Sequence, residues 1–460
     1  MCGISGIWST NKEDKNDLLY SQELISSAIS HRGPDNQGFW INDANSLILS
    51  HSRLSIQDLS VAGHQPMFSR SGRFLITYNG EIYNHYELRE EINKELNNQL
   101  HWRGRSDTET LIEAIELWGL DKTLNKTRGM FAFCLWDQEK NQIYIVRDRF
   151  GEKPLYWGFI KSTHIRSLSF IFSSDIKAIR SMIGKSFKID IDAFLSYLQF
   201  GCIQQPLSIF DGIRQLLPGE CLTLKANEFG FCNRESLSIH NWEKPINNLA
   251  TDKFQDQILR LENSLKESVA LQTISDVPIG AFLSGGIDSS LIVALLQNQS
   301  SRPVNTFTIA FPDYGSREQY FDESSYATAI SGHLNTNHQN IPLTIKDLIE
   351  ETKNISSIYS EPFSDSSQIP SHIICKKVSQ SGINVALAGD GGDELFGGYY
   401  RHFLASSIEN LNRKIPYSLR CIFSTILLNT PSYITRENSK KIIKLSNAIR
   451  CNSDPLELYL

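Results

Sequence analysis

The sequence holds no apolar run long enough to span a bilayer. Its N-terminus lacks a basic segment followed by an apolar one, so no secretory signal is expected. The eight cysteines are scattered, and none forms a Cys-x-x-Cys pair. Neither a zinc site nor a disulfide framework is therefore indicated, and reduced thiols in a cytoplasm fit this usage. Excess positive charge is also missing: a formal net charge of -6 argues against non-specific nucleic-acid binding. No repeat or low-complexity tract stands out. What is present is ordinary for a globular chain, with 40% hydrophobic and 21% charged residues. A length of 460 residues suggests two or three domains with ample core.

The most informative stretch is Ser284-Gly285-Gly286-Ile287-Asp288-Ser289-Ser290. The apolar run Val277 to Leu283 before it reads as a buried strand, and Leu291 to Gln297 after it reads as a helix. Two glycines let the backbone approach a ligand closely. The first-turn amides and the helix dipole favour an anion there. Asp288 beside a phosphate repels it unless a cation lies between them, so Asp288 predicts Mg2+. Taken alone, Ser-Gly-Gly is also an ordinary glycine turn. The loop is not a Walker A motif, because Gly-Lys-Ser/Thr is absent. It resembles the pyrophosphate loop of ATP pyrophosphatases, which adenylate a substrate and release pyrophosphate.

The chain opens Met1-Cys2-Gly3-Ile4. Removal of Met1 would leave a terminal cysteine whose own α-amino group, with a pKa of about 7.7–8.0, relays the thiol proton. Four further motifs accompany it: His31-Arg32-Gly33-Pro34-Asp35, His51-Ser52-Arg53-Leu54-Ser55-Ile56, Tyr78-Asn79-Gly80-Glu81 and Arg105-Ser106-Asp107-Thr108-Glu109. Ser106 or Asp107 also reads as a helix N-cap, and Asn79-Gly80 also reads as a hairpin turn. Buried strands are expected over Gly129–Asp137 and Ile143–Val146, with Cys134 a small core residue. Ile258, Leu261, Leu265 and Val269 recur at helical spacing ahead of the glycine loop. Beyond it, strands alternate with helices, which implies a parallel sheet covered on both faces. Ligands bind at the carboxyl ends of such strands. Three of those ends carry polar or glycine-rich residues: the Ser284 loop, Pro312-Asp313 and Gly389-Asp390-Gly391-Gly392-Asp393-Glu394.

Together these motifs resemble the glutaminase domain of class II glutamine amidotransferases, from Cys2 to about Ala178. With the second half they resemble glutamine-hydrolysing asparagine synthetases along nearly the whole chain. The resemblance implies an N-terminal-nucleophile αββα sandwich followed by a Rossmann-like, doubly wound parallel sheet with a pyrophosphate loop, a mixture of α+β and α/β. It implies a glutaminase domain over 2–185, a connecting segment over 186–250, and an ATP-binding domain over 251–460 that is incomplete at its C-terminus.

The resemblance also implies roles. Cys2 attacks the glutamine amide, and Asn79 with the Gly80 amide forms an oxyanion hole. Glutamine is held by Arg53, Leu54, Ser55, Ile56, Gln57, Asn79, Gly80, Glu81 and Asp107, with Arg53 on the α-carboxylate and Asp107 on the α-ammonium. Leu283, Ser284, Gly285, Gly286, Asp288, Ser289, Ile309, Ala388 and Gly389 line an ATP site. Asp288 and Asp393 hold Mg2+. Asp390 stands where the family has an acidic residue, often glutamate, that helps form a β-aspartyl-adenylate. Glu361 to Ser367 lies near an aspartate pocket. Arg105 departs from the small residue more usual before Ser106. The expected ligands are L-glutamine, L-aspartate and Mg-ATP, in a cytoplasmic homodimer without nucleic-acid or membrane partners. A related amidotransferase acting on a different carboxylate, such as a sugar acid, is the alternative, because the acceptor pocket is not legible in the motifs. No counterpart of the family's later Arg-x-Pro-Phe-Leu-Asp motif is found. The expectation is therefore a complete glutaminase whose amide synthesis is impaired or needs another chain.

Overall fold

The computed structural model describes residues 1–161, 165, 167–184, 187–225, 237–241, 253–312, 322–428, 446 and 448–449. Asp313, most of the polar stretch 234–251 and the run Asp454–Leu460 lie outside the described residues.

The first half runs β1 (Gly3–Ser9), α1 (Lys15–Ile29), β2 (Asn36–Asn42), β3 (Leu47–Arg53), β4 (Met67–Phe68) and β5 (Phe74–Ile82). It continues with α2 (His85–Glu95), α3 (Asp107–Trp118), α4 (Leu120–Lys126), β6 (Gly129–Asp137), β7 (Gln142–Arg147), β8 (Tyr156–Lys161), β9 (Leu168–Ser173) and α5 (Ile176–Ile183). After α6 (Ile191–Phe200) come β10 (Ile213–Gln215), β11 (Glu220–Lys225) and β12 (Leu237–Asn241). The strands form two six-stranded antiparallel sheets, ordered β10-β8-β9-β1-β3-β2 and β12-β11-β7-β6-β5-β4. The stretch 186–250 thus supplies an edge strand to the first sheet and the last two strands of the second.

Alternation along the strands fixes the layers. Ile4, Trp8, Leu47 and Leu49 of one sheet meet Leu75, Cys134, Trp136 and Ile143 of the other in a buried central core. The opposite face of the first sheet, through Ile7, Ile48 and Ile171, packs on Ile25 and Ile29 of α1 and Ile179 of α5. The opposite face of the second, through Ile76, Phe133 and Leu135, packs on Leu88 of α2 and Leu111 and Ile115 of α3. Each such side chain contributes about 1.5–3 kcal/mol by leaving water. The order is helix, sheet, sheet, helix, as the resemblance implies.

The second half runs α7 (Phe254–Gln272), β13 (Ile279–Phe282), α8 (Ile287–Gln299), β14 (Asn305–Ala310), α9 (Ser324–Leu334) and β15 (Asn337–Pro342). It continues with α10 (Ile345–Thr352), α11 (Ile355–Ile358), α12 (Gln368–Gln380), β16 (Val385–Leu387), α13 (Gly392–Phe396), α14 (Tyr400–Lys414) and α15 (Tyr417–Leu428). Four strands make a parallel sheet ordered β15-β14-β13-β16. Val269, Val293, Leu296 and Ala327, from α7, α8 and α9, cover one face with Ala281 and Leu283. Val378 of α12 covers the other with Phe307, Ile341 and Ile383. The sheet is doubly wound. From β13 the chain moves outward through β14 and β15, then returns to place β16 on the other side. This reversal puts a crevice between the carboxyl ends of β13 and β16. Of the expected apolar stripe on α7, Val269 is buried, but Ile258 and Leu261 are 43% and 42% exposed.

Several bonds join the halves. Glu361 accepts from Tyr156 OH, Ser208 Oγ and Ile209 N at 2.8, 2.9 and 2.7 Å. Ser360 Oγ donates to Asp175 at 2.5 Å, and Ser364 N donates to Gly201 O at 2.6 Å.

Candidate active site

Cys2 lies just ahead of β1, whose register pairs Gly3 with Ser52 near the end of β3. Leu54, just past β3, donates its amide to Cys2 Sγ at 3.4 Å, and the thiol faces Leu54 O at 3.6 Å. Burial pushes the thiol pKa up, and the Leu54 contact opposes it. Met1 still precedes Cys2 here. Burial lowers the Met1 amino group to about 6. Arg32 Nε donates to Cys2 O at 3.1 Å.

A small pocket opens beside the thiol. Arg53, Leu54, Ile56, Gln57, Gly80, Glu81 and Asp107 line it with Cys2. The Arg53 guanidinium donates to Ser60 O at 3.0 Å and Gln57 O at 3.4 Å, and also to Asp58 O. Asp107 accepts from Tyr78 OH at 2.9 Å, Ile82 N at 2.8 Å and Thr108 N at 2.7 Å. Glu81 accepts from Gln57 Nε2 at 2.6 Å. Burial raises both carboxyls above their usual range, and Asp107 raises Glu81 further.

Asn79 is not among the lining residues. Leu75, Thr77 and Asn79 share the face of β5 that looks between the sheets: Leu75 enters the central core, and Thr77 Oγ1 donates to Ser50 O. Asn79 is 1% exposed and its Nδ2 has no partner. A buried, unspent donor is costly, and this one lies on the β5 face that looks toward the sheet carrying Cys2. Ser55 is not a lining residue either; its amide donates outward to Asp35 at 2.7 Å. The capping ambiguity resolves cleanly: Ser106 Oγ accepts from Glu109 N at 3.2 Å and caps α3. Asp107 is left free to face the pocket. Arg105 is exposed and spends its amide on Asp58 Oδ2 at 2.6 Å. Gln65 escapes the motif reading, and Tyr78 appears in a motif without a role. Gln65 Oε1 accepts from Tyr78 N at 2.7 Å and its Nε2 donates to Thr108 at 3.2 Å, so it braces the pocket.

The second candidate site lies at the switch point of the parallel sheet. Leu283 is buried, and the loop after it turns on Gly285 at φ +88°. Ser284 Oγ lies 3.0 Å from Ser289 Oγ and accepts from Gly286 N at 3.2 Å. Gly286 caps α8 without a side-chain bond to the first-turn amides. The loop after β16 closes on this one. A Cβ on Gly389 would stand 2.8 Å from Ser289 N, and one on Gly392 would stand 2.6 Å from Asp288 Cγ. Only glycine permits that approach. Asp288 thus abuts the residue before Asp393. The carboxylate of Asp393 itself lies beside Gly398, in the first turn of α13. Asp288 and Asp393 are the carboxylates here whose chemistry suits Mg2+ carried in with a nucleotide. Among the described residues no cluster of three or more His, Cys, Asp or Glu forms a ready cation cage. Ile309, half-buried on β14, lies one strand away from the loop, while Asp390 is exposed. Glu361 is committed to the first half by the three bonds given above.

Residues 1–234 match the glutamine amidotransferase domain model, and residues 260–454 match the asparagine synthase model. The chain is 34% identical over 448 residues to a putative glutamine-hydrolysing asparagine synthetase 2 of Methanocaldococcus jannaschii, covering 93% of this chain and 81% of that one. It is 29% identical to asparagine synthetase 3 of Bacillus subtilis, covering 87% of this chain and 63% of the relative. Identity to asparagine synthetase B of Escherichia coli is 28%, covering 90% and 67%. The chain thus spans between about two thirds and four fifths of these relatives. With both models matched in order, the chain belongs to the glutamine-hydrolysing asparagine synthetases, a family of ATP-using carbon–nitrogen ligases.

Proposed function

We propose that the chain amidates L-aspartate to L-asparagine with ammonia drawn from glutamine, in two sites working in sequence. The observation that carries this reading is the pairing of a thiol-bearing pocket in the first half with a glycine-walled crevice at the switch point of the second. The same reading divides the chain into a glutaminase region over 2–185, a connecting 186–250 whose strands complete the two sheets of that region, and an ATP-binding region over 251–460.

In the first site, removal of Met1 frees the Cys2 amine, which accepts the thiol proton. Cys2 Sγ attacks the side-chain carbonyl of glutamine. The Asn79 amide and Gly80 N–H stabilise the oxyanion, a task for preorganised donors. Arg53 holds the substrate α-carboxylate, and Asp107 and Glu81 hold its ammonium. The tetrahedral intermediate collapses to a γ-glutamyl thioester and expels ammonia, and water then releases glutamate. In the second site the aspartate β-carboxylate attacks the α-phosphorus of ATP, and pyrophosphate leaves. Ser284, Gly286 and the first turn of α8 cradle the departing phosphates. Asp288 and Asp393 would hold Mg2+, which neutralises phosphate charge when bound. Asp390 assists adenylation from the exposed side of the crevice. Ammonia attacks the acyl-adenylate, giving asparagine and AMP, while the protein keeps water from both intermediates. A cytoplasmic location and a homodimer belong to the same reading.

The test is an assay that records glutamate, pyrophosphate and asparagine separately, with Mg-ATP, aspartate and glutamine. Equal amounts of all three, together with a protein mass short of one methionine, are expected of a chain that amidates aspartate on its own; glutamate alone would mean that amide synthesis is impaired or needs another chain. Pyrophosphate release driven by another carboxylate and not by aspartate would overturn the acceptor assignment.

A further inference from the structure

Asp276 lies between α7 and β13, in the second half of the chain, yet it reaches into the first. Its amide donates to Ile56 O at 2.9 Å, and its Oδ2 accepts from Asp58 N at 2.8 Å. These two partners flank Gln57. Ile56 and Gln57 both line the glutamine pocket, and Gln57 bonds Glu81 across it. Asp58 sits at φ +54°, a left-handed conformation unusual for a residue other than glycine. Such a conformation persists where its surroundings over-determine it. Here the Asp58 carboxylate accepts from Ser60 N and Arg105 N at 3.1 and 2.6 Å, while its carbonyl accepts from Arg53. One residue of the second half therefore clamps both ends of a three-residue pocket wall that also orients Arg53.

We propose that Asp276 is a positioning residue for the glutamine pocket, so that the pocket takes its binding shape only when the second half is docked. The inference rests on the glutamine reading given above. Without the clamp, the 56–58 loop relaxes out of its left-handed turn. Arg53 loses its fixed carbonyls, and Gln57 releases Glu81. The competent pocket becomes a fraction of the population, and apparent affinity falls by that fraction. Cys2 and the β5 donors stand on other elements and keep their geometry. Affinity is lost while turnover is kept, which separates this role from a general loss of structure.

The experiment measures glutamine hydrolysis without nucleotide by the full chain and four variants. Asp276→Ala is expected to raise KM for glutamine roughly 5- to 20-fold, the scale of one lost charge-assisted hydrogen bond, with kcat within about twofold. Asp276→Ser, too short to reach Asp58 N, shares the rise and serves should the alanine variant fold poorly. Asp276→Asn keeps the acceptor oxygen and restores KM to within about twofold of the parent. Glu267→Ala breaks the exposed ion pair with Arg128 at 2.7 Å, which also joins the halves, and leaves both constants unchanged. An unchanged KM in Asp276→Ala, or an equal rise in Glu267→Ala, overturns the proposal. Alkylation of Cys2, read by peptide mass with and without glutamine, separates the two levels. If glutamine neither protects Cys2 nor is hydrolysed by the parent chain, the glutamine reading fails and the proposal falls with it. Protection in the parent with no KM change in the variants removes the proposal alone.

Discussion

In the glutamine pocket Asp107 is 5% exposed and both of its oxygens have partners before any ligand arrives. In the nucleotide crevice Ser284, Gly286 and Asp390 are exposed, and the side chain of Ile287 is 86% exposed. The first pocket stands between two six-stranded sheets with three large buried clusters behind it, whereas the second rests on four short strands and two small clusters. Under the proposed function the difference follows from what each site would bind. A small zwitterion is gripped by groups fixed in advance, so little ordering is left for the moment of binding. A triphosphate brings its own charge and cation, and loops with unspent amides close around it. Preorganisation thus lies with the covalent chemistry, and assembly by the ligand lies with the nucleotide.

The contrast can be broken most directly at Cys2. Cys2→Ala is expected to abolish glutamine hydrolysis while leaving ammonia-driven pyrophosphate release intact; loss of both would show that the sites do not act separately. Asn79→Ala tests whether the buried amide is an oxyanion donor. A drop in kcat of about 100- to 1,000-fold with little change in KM is expected, and steady-state kinetics that show only a KM effect would remove that role. On the other side, Asp288→Asn should cut Mg-ATP-dependent pyrophosphate release on the order of 100-fold, the scale of several kcal/mol of lost charge stabilisation. Glutamine hydrolysis without nucleotide should not move.

The smallest effect concerns the rigidity of the first half. Burial lowers the pKa of His51 to about 3, below its ordinary 6.5, while it bonds Tyr78 O at 3.1 Å. The unfolded chain binds a proton at this residue below pH 6.5, and the folded chain does so only near pH 3. Its stability contribution is complete above pH 6.5 and declines as pH falls toward 3. The buried carboxyls of Glu81 and Asp107 act in the opposite sense: raised in the folded state, they favour it at acid pH and lose that contribution as pH rises through their folded values. A comparison of His51→Gln with the parent cancels them. Denaturant titrations at pH 7 and 5 should show the parent losing about 2 kcal/mol more than the variant. Equal losses would mean that His51 is not held neutral.

Alternation made the strands and the parallel domain legible, because those depend on local period. The αββα sandwich and most lining residues, Arg53, Glu81 and Asp107 among them, came through the family resemblance that their motifs carry. What stayed hidden depends on contacts distant in sequence. Nothing near Gln65 announces that it braces Tyr78, and nothing near Asp276 announces a bond to a loop more than two hundred residues earlier. Ile258 and Leu261 show the complementary failure. Helical spacing names an apolar face on α7 but says nothing of what covers it, and only its C-terminal end at Val269 is buried.

The strands β10, β11 and β12 have a bearing on how the molecule can be divided. A fragment ending at residue 185 would strip them away, leaving β8 of one sheet and β7 of the other with open rows of amides and carbonyls. Uncapped edges of that kind recruit other chains into sheets. A fragment extended through Asn241 keeps β10, β11 and β12, so that β8 and β7 stay paired on both sides. For anyone separating the two halves, the later cut point avoids the new edges, but it still removes Asp276 and its hold on the 56–58 loop.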